Sequence, residues 1–144
     1  MEQWQMADPN VPYWTIRYLE SGEAVPGHTF TVFIAEDDTE DARYFDLQRM
    51  IEEPGQQEID LELDSYCIVS ESDGVDYGGL EETTLLPGQL TLHFRADSVD
   101  ELELPSRIIT LGIDPDIDID ELRKGLKKVL TYGNSLKVPV MNLT

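Results

Sequence analysis

Leu80-Glu81-Glu82-Thr83-Thr84-Leu85-Leu86-Pro87-Gly88-Gln89-Leu90-Thr91-Leu92-His93-Phe94-Arg95 is the stretch that decides the fold class. Proline presets φ and glycine accepts a positive φ, so Pro87-Gly88 reads as a type II turn. On its far side Leu90, Leu92 and Phe94 alternate with Thr91, His93 and Arg95, the period of a half-buried strand. Two strands joined by so short a turn must pair antiparallel, so the chain is built around a sheet.

Upstream, Tyr66-Cys67-Ile68-Val69 is a short apolar run between Asp64 and the turn-like Ser72-Asp73-Gly74, the pattern of a buried strand. His28 to Ala35, rich in Thr, Phe, Val and Ile, reads as another strand, and Trp14 to Leu19 as the first. Ser21 to Gly27 reads as a loop between them, and residues 1–13, which mix Trp4, Pro9 and Pro12 without period, as an irregular lead-in. Arg43 to Ile51 fits both periods; the alternation of Phe45, Leu47, Arg49 and Ile51 favours a strand. Pro54-Gly55 ends it, and an apolar beat resumes at Ile59, Leu61 and Leu63.

Downstream, Ser98-x-x-Glu101 has the spacing of a capping box and predicts a short helix near 98–103, before Pro105. Ser106 to Ile113 is again strand-like. The clearest helix covers about 119–132: Asp118 or Asp120 can cap it, Ile119, Leu122, Leu126, Val129 and Leu130 form one apolar stripe, and Gly133 can close it. Residues 134–144, with Pro139, read as a tail. The expected fold is α+β: a mainly antiparallel, twisted β-sheet with a C-terminal amphipathic helix, in one domain spanning 1–144.

Charge carries the most functional information. The 144 residues hold 30 Asp and Glu against 10 Lys and Arg, a formal net charge of −20. Nucleic acids and anionic membranes are recognised by cationic side chains that displace counterions, so neither is an expected partner. The expected partner is a basic protein, which such a field captures quickly; the same acidity also serves solubility or a salt-loving host. Four of the cations, Arg123, Lys124, Lys127 and Lys128, sit on the outer face of the final helix, where they suit its dipole. No apolar run approaches the ~20 residues of a bilayer span, and the N-terminus lacks the basic start of a signal peptide, so the expected location is the cytoplasm.

Catalytic and metal signatures are thin. Gly78-Gly79 has no helix and lysine after it to make a phosphate loop. Cys67 and His93 could pair as nucleophile and base, but a thiol inside an apolar run reads as inert packing. A lone cysteine and two histidines fall short of a zinc set. Asp114, Asp116, Asp118 and Asp120 alternate like the opening of an EF-hand loop, yet Ile119 stands at the glycine position and Gly125 at the glutamate position, so a capped turn is the better reading. No enzyme activity, cofactor or metal is expected.

Leu63-Asp64-Ser65-Tyr66-Cys67-Ile68-Val69, continuing through Gly74 to Tyr77-Gly78-Gly79-Leu80, resembles the immunity protein 10 family of bacterial polymorphic toxin systems. Leu47-Gln48-Arg49, the hairpin Leu85 to Phe94, Leu104-Pro105 and the helix Glu121 to Leu130 are similar in order and spacing, so the likeness covers roughly residues 28 to 133. The resemblance implies an α+β protein that binds and neutralises a cognate toxin by protein–protein contact, without catalytic residues. Within the family motif, Leu47, Gln48, Arg49, Tyr66, Cys67, Gly78 and Gly79 read as structural: the glycines as turn positions, Cys67 as packing, and Arg49 as the partner of an internal carboxylate. For the partner-binding surface, acids and an aromatic near loops are the candidates: Asp37, Asp38, Glu40, Asp41, Glu71, Asp73, Asp76 and Tyr77. The alternative function is a general acidic scaffold, or a nucleic-acid mimic that blocks a basic groove.

Overall fold

The computed structural model describes residues 12–143. Ten strands form two five-stranded sheets. In the first, β1 (Trp14–Ile16), β9 (Ile108–Ile113), β8 (Gln89–Phe94), β7 (Leu80–Leu86) and β10 (Val140–Leu143) lie side by side in that order. Its centre is the predicted hairpin of β7 and β8, with Gly88 at φ 80° in the turn. Both edge strands, β1 on β9 and β10 on β7, are added in parallel. The second sheet is antiparallel throughout and follows chain order: β2 (Tyr18–Val25), β3 (Thr29–Ala35), β4 (Tyr44–Met50), β5 (Cys67–Ser70) and β6 (Val75–Tyr77).

One apolar core joins the two sheets. Trp14 stacks on Phe45 at 5.9 Å between centroids, and Phe45 reaches Phe94 at the same distance, so both sheets meet on aromatic contacts. Helix α3 (Ile119–Leu130) packs on the core-facing side of β2, β3 and β4. Asp118 caps it, its carboxylate accepting from the amides of Asp120 and Glu121 at 3.1 Å. Leu122, Leu126, Val129 and Leu130 are 0 % exposed; each such burial contributes roughly 1.5–3 kcal/mol. Gly125 permits this close packing, because a Cβ there would come within 2.6 Å of Val32 Cγ2 and 2.8 Å of Ser21 Oγ.

Several expectations need correction. The first strand breaks at Arg17, and β2 runs on through Ser21 to Val25 where a loop was expected; an edge strand wet on most of its length shows no apolar alternation. Residues Gln56–Asp60 form a one-turn helix, α1, leaving Ile59 and Leu61 exposed. Helix α2 (Ala96–Leu102) starts before the supposed cap: Arg95 is its N-cap, and Ser98 is a buried residue inside it. Helix α3 stops at Leu130, short of Gly133, which at φ 78° instead brings the chain against Asp64 and Ser65. The supposed tail folds as a 3-10 turn, Ser135–Lys137, and then β10. The lead-in falls largely on residues 1–11, outside the described residues.

Candidate partner-binding surface

Antiparallel pairing sets where the acidic segments go. The turn of the β3–β4 hairpin, residues 36–43, and that of the β5–β6 hairpin, residues 71–74, emerge at one end of the second sheet, because Phe45 at the start of β4 pairs with Ser70 at the end of β5. The Tyr44 amide donates to Glu71 Oε1 at 3.3 Å across the two hairpins. Asp37, Asp38, Glu40, Asp41, Glu71 and Asp73 are all exposed there. Asp37 accepts from the Thr39 hydroxyl and amide, which hold its carboxyl below the usual value. Asp73 sits in the β5–β6 turn at φ 67°, a conformation Asp tolerates because its short side chain bonds locally.

Two guanidiniums lie in this acidic end. Arg43 forks onto Glu36 at 3.0 and 2.7 Å, which lowers the Glu36 carboxyl, and covers the Tyr13 ring at 5.2 Å. Arg17 is exposed and near enough to Asp37 to lower it slightly. Burial raises the Tyr44 hydroxyl, and the charges of Asp73, Asp46 and Glu71 raise it further.

Asp76 does not join this group. It pairs with Ile68, whose side chain is in the core, so the two-residue period turns Asp76 inward, where the Ser98 hydroxyl donates to it at 2.7 Å. Burial raises its carboxyl above the ordinary value, with Asp97 and Glu101 adding to the rise. Tyr77 lies on the outward face, one pairing step from Cys67.

The motif residues fall around the junction of the two sheets. Tyr66 is fully buried; its hydroxyl accepts from the Leu80 amide at 3.0 Å and donates to the Lys137 carbonyl at 3.1 Å, joining β7 to the segment before β10. Gly78, at φ 65°, and Gly79 carry the chain from one sheet to the other; a Cβ on Gly79 would overlap Asp76 and Ser98. Leu47 is in the core, and Gln48 Nε2 donates to Asp46 at 2.9 Å on the outward face. Two motif expectations are corrected. Cys67 is half-buried on the outward face, because its neighbours Tyr66 and Ile68 take the inward positions; burial pushes its thiol up to about 11. Arg49 meets no carboxylate among the described residues; it donates to the carbonyls of Met50, Ile51 and Lys128 and covers the Tyr132 ring at 4.7 Å, because its position on β4 faces the C-terminal end of α3.

A Cys67–His93 dyad is ruled out by the same alternation. His93 points away from the core on the first sheet and Cys67 away from it on the second. Two grooves, of about 360 and 410 Å³, run along β2 and α3, and neither is lined by Cys67 or His93. Among the described residues no histidine, cysteine and carboxylate cluster has metal-binding geometry; Asp114 and Asp118 are spent on local amides. No helix there is long and apolar enough to cross a membrane.

The residues missed from sequence are Tyr18, Phe33 and Tyr44, which form an aromatic chain on the outward face beside the acidic turns, with centroids 6.0 and 5.2 Å apart. A signal was present: in Thr29–Ala35 bulky residues occupy both parities, one more than a half-buried strand needs.

Comparison with curated proteins and with solved structures gave no match. A family model described as Immunity protein 10 matches residues 15–120, from β1 to the first turn of α3, a stretch that starts before the expected likeness and ends before the body of the closing helix. With about three-quarters of its 144 residues so matched, the chain belongs to the Immunity protein 10 family.

Proposed function

We propose that this protein binds a cognate bacterial toxin domain and neutralises it by contact alone, without chemistry of its own. Membership of an immunity protein family supports the role. The observation that carries the binding mode is the convergence of two acidic hairpin turns at one end of one sheet. Seven carboxylates (Glu36, Asp37, Asp38, Glu40, Asp41, Glu71 and Asp73) stand there against Arg17 and Arg43, so the end presents a concentrated negative field. A basic toxin surface is the complementary partner, met in the cytoplasm by a chain acting as one domain. Asp76, spent on Ser98, is left out of the surface; Tyr77 stays at its margin.

The test is amide substitution of Asp37, Asp38, Glu40, Asp41, Glu71 and Asp73 together. Association with the toxin domain encoded by the adjacent gene should slow by roughly 10 to 10³-fold at low salt, and the difference should shrink as salt rises. Unchanged association and unchanged protection of cells coexpressing the toxin would rule the surface out.

A further inference from the structure

Each sheet turns one face to the core and one away, and the two outward faces differ. On the first sheet the outward rows are Val140–Glu82–His93–Ile108, Thr84–Thr91–Thr110 and Leu86–Gln89–Gly112, a face with one carboxylate, threonines and scattered exposed aliphatic side chains but no Tyr, Phe or Trp. On the second sheet the outward rows are Tyr18–Ala35–Tyr44, then Glu20–Phe33–Asp46–Val69–Val75, then Gly22–Thr31–Gln48–Cys67–Tyr77. Helices α2 and α3 both pack from the inward side, through Ser98 on Asp76 and Gly125 on Val32, so neither covers these rows. No lysine or arginine occupies them. Val75 is 44 % exposed and Tyr77 36 %.

We propose that this outward face of the second sheet is a docking surface for a basic protein surface, with Tyr18, Phe33 and Tyr44 as its anchor. It rests on the toxin-binding reading and extends it from the turns onto the sheet. Aromatic rings flanked by carboxylates receive lysine and arginine side chains in two ways at once: the cation lies over a ring face while its N–H groups reach an acid. Glu20 and Asp46 flank Phe33 directly across the ladder, and Glu71 lies against Tyr44. Charge also selects the occupant. A second copy brings a net charge of −20 onto an acidic face, and the chain's own residues 1–11 carry Glu2 and Asp8 with no lysine or arginine. Both are repelled where a basic partner is attracted.

The experiment titrates the catalytically inactivated toxin domain from the adjacent gene against six forms of the protein: the parent, three substituted chains, the chain with amide-substituted turns, and one lacking residues 1–11. Val75→Lys puts a cation on the exposed β6 edge of the face, at the end of the row that holds Phe33 and Asp46, without touching the core, and should weaken binding by ~30-fold or more, as should the pair Phe33→Ala and Tyr44→Ala. Thr91→Lys, the same change in charge on the other sheet, should stay within about twofold of the parent. A melting curve for each variant separates lost contact from lost folding. Val75→Lys binding like the parent, while the amide-substituted turns bind weakly, overturns the sheet surface and leaves the toxin-binding reading standing. Tighter binding after removal of residues 1–11 would assign the face to those residues and overturn it as well. If the parent chain does not bind the toxin domain at all, both readings fall.

Discussion

Replacing Tyr66 by Phe removes one oxygen and keeps the ring. That oxygen sits at a buried crossing: it takes the Leu80 amide proton at 3.0 Å and gives its own proton to the Lys137 carbonyl at 3.1 Å. Leu80 is 1 % exposed, so water cannot replace the lost acceptor. A stranded buried amide costs about 1–3 kcal/mol, and the bond itself contributes about 1 kcal/mol. The Lys137 carbonyl, on a half-buried residue, can turn to water. Tyr66→Phe should therefore destabilise the fold by about 2–3 kcal/mol, which for a domain of this size lowers Tm by about 6–9 °C. Burial also pushes the Tyr66 hydroxyl well above its ordinary value, so the loss should be the same at pH 6 and pH 9. Urea unfolding followed by tryptophan fluorescence, to which Trp14 contributes from its buried place in the joint core, measures it. A loss below about 0.5 kcal/mol would mean the Leu80 amide finds another acceptor, and the crossing is not a point of tension between the sheets.

Asp76 gives the pH prediction. Its carboxyl is raised by burial, then by Asp97 and Glu101, against the lowering pull of the Ser98 hydroxyl and Lys137. The native state thus keeps this proton to higher pH than the unfolded chain does; its contribution is complete below 3.8 and is lost as pH rises through the raised value. Asp76→Asn should be more stable than the parent at pH 7, with the gap closing toward pH 4; a gap that widens on acidification refutes the assignment. Cys67, with its thiol at about 11, should react with iodoacetamide at pH 8 about a hundredfold more slowly than a free cysteine, despite being only half-buried. Reaction at the free-thiol rate would show a different environment. Removing residues 134–144 strips β7 of its parallel neighbour and Tyr66 of its acceptor, so the truncated chain should melt earlier and scatter light on standing through the bared edge of β7. An unchanged melting curve would mean β10 adds nothing to the sheet.

Elements whose instructions are local could be read from residues alone. Pro87-Gly88 with alternating neighbours specifies a hairpin, and the stripe from Ile119 to Leu130 specifies a helix, without reference to the rest of the chain. Elements that exist because of remote partners could not. β10 is four residues after a proline, and becomes a strand only because β7 offers an unpaired edge. β2 carries Gly22, Glu20 and Glu23, which read as loop until β3 pairs with them. The acidic candidates were visible as runs of charge. Their meeting at one end follows from the order β3, β4, β5, β6, and that same order separates Asp76 from Asp73 by sending one inward. The aromatic chain stayed hidden because Tyr18, Phe33 and Tyr44 come from three strands, and each alone looks like ordinary strand composition.

Arg49 ties the end of β4 to the end of α3: it donates to the Met50 and Ile51 carbonyls on its own side, to the Lys128 carbonyl of α3, and covers the Tyr132 ring just past the helix. A guanidinium keeps its proton throughout the range in which proteins live, and a peptide carbonyl neither gains nor loses one. This clasp therefore has no member that gains a proton on acidification, in a molecule where three charges in every four are acids. Acidification that neutralises the carboxylates of the hairpin turns, and with them the Asp118 cap, leaves this C-terminal fastening of the helix in place, so the binding surface can be discharged while that end of the scaffold holds.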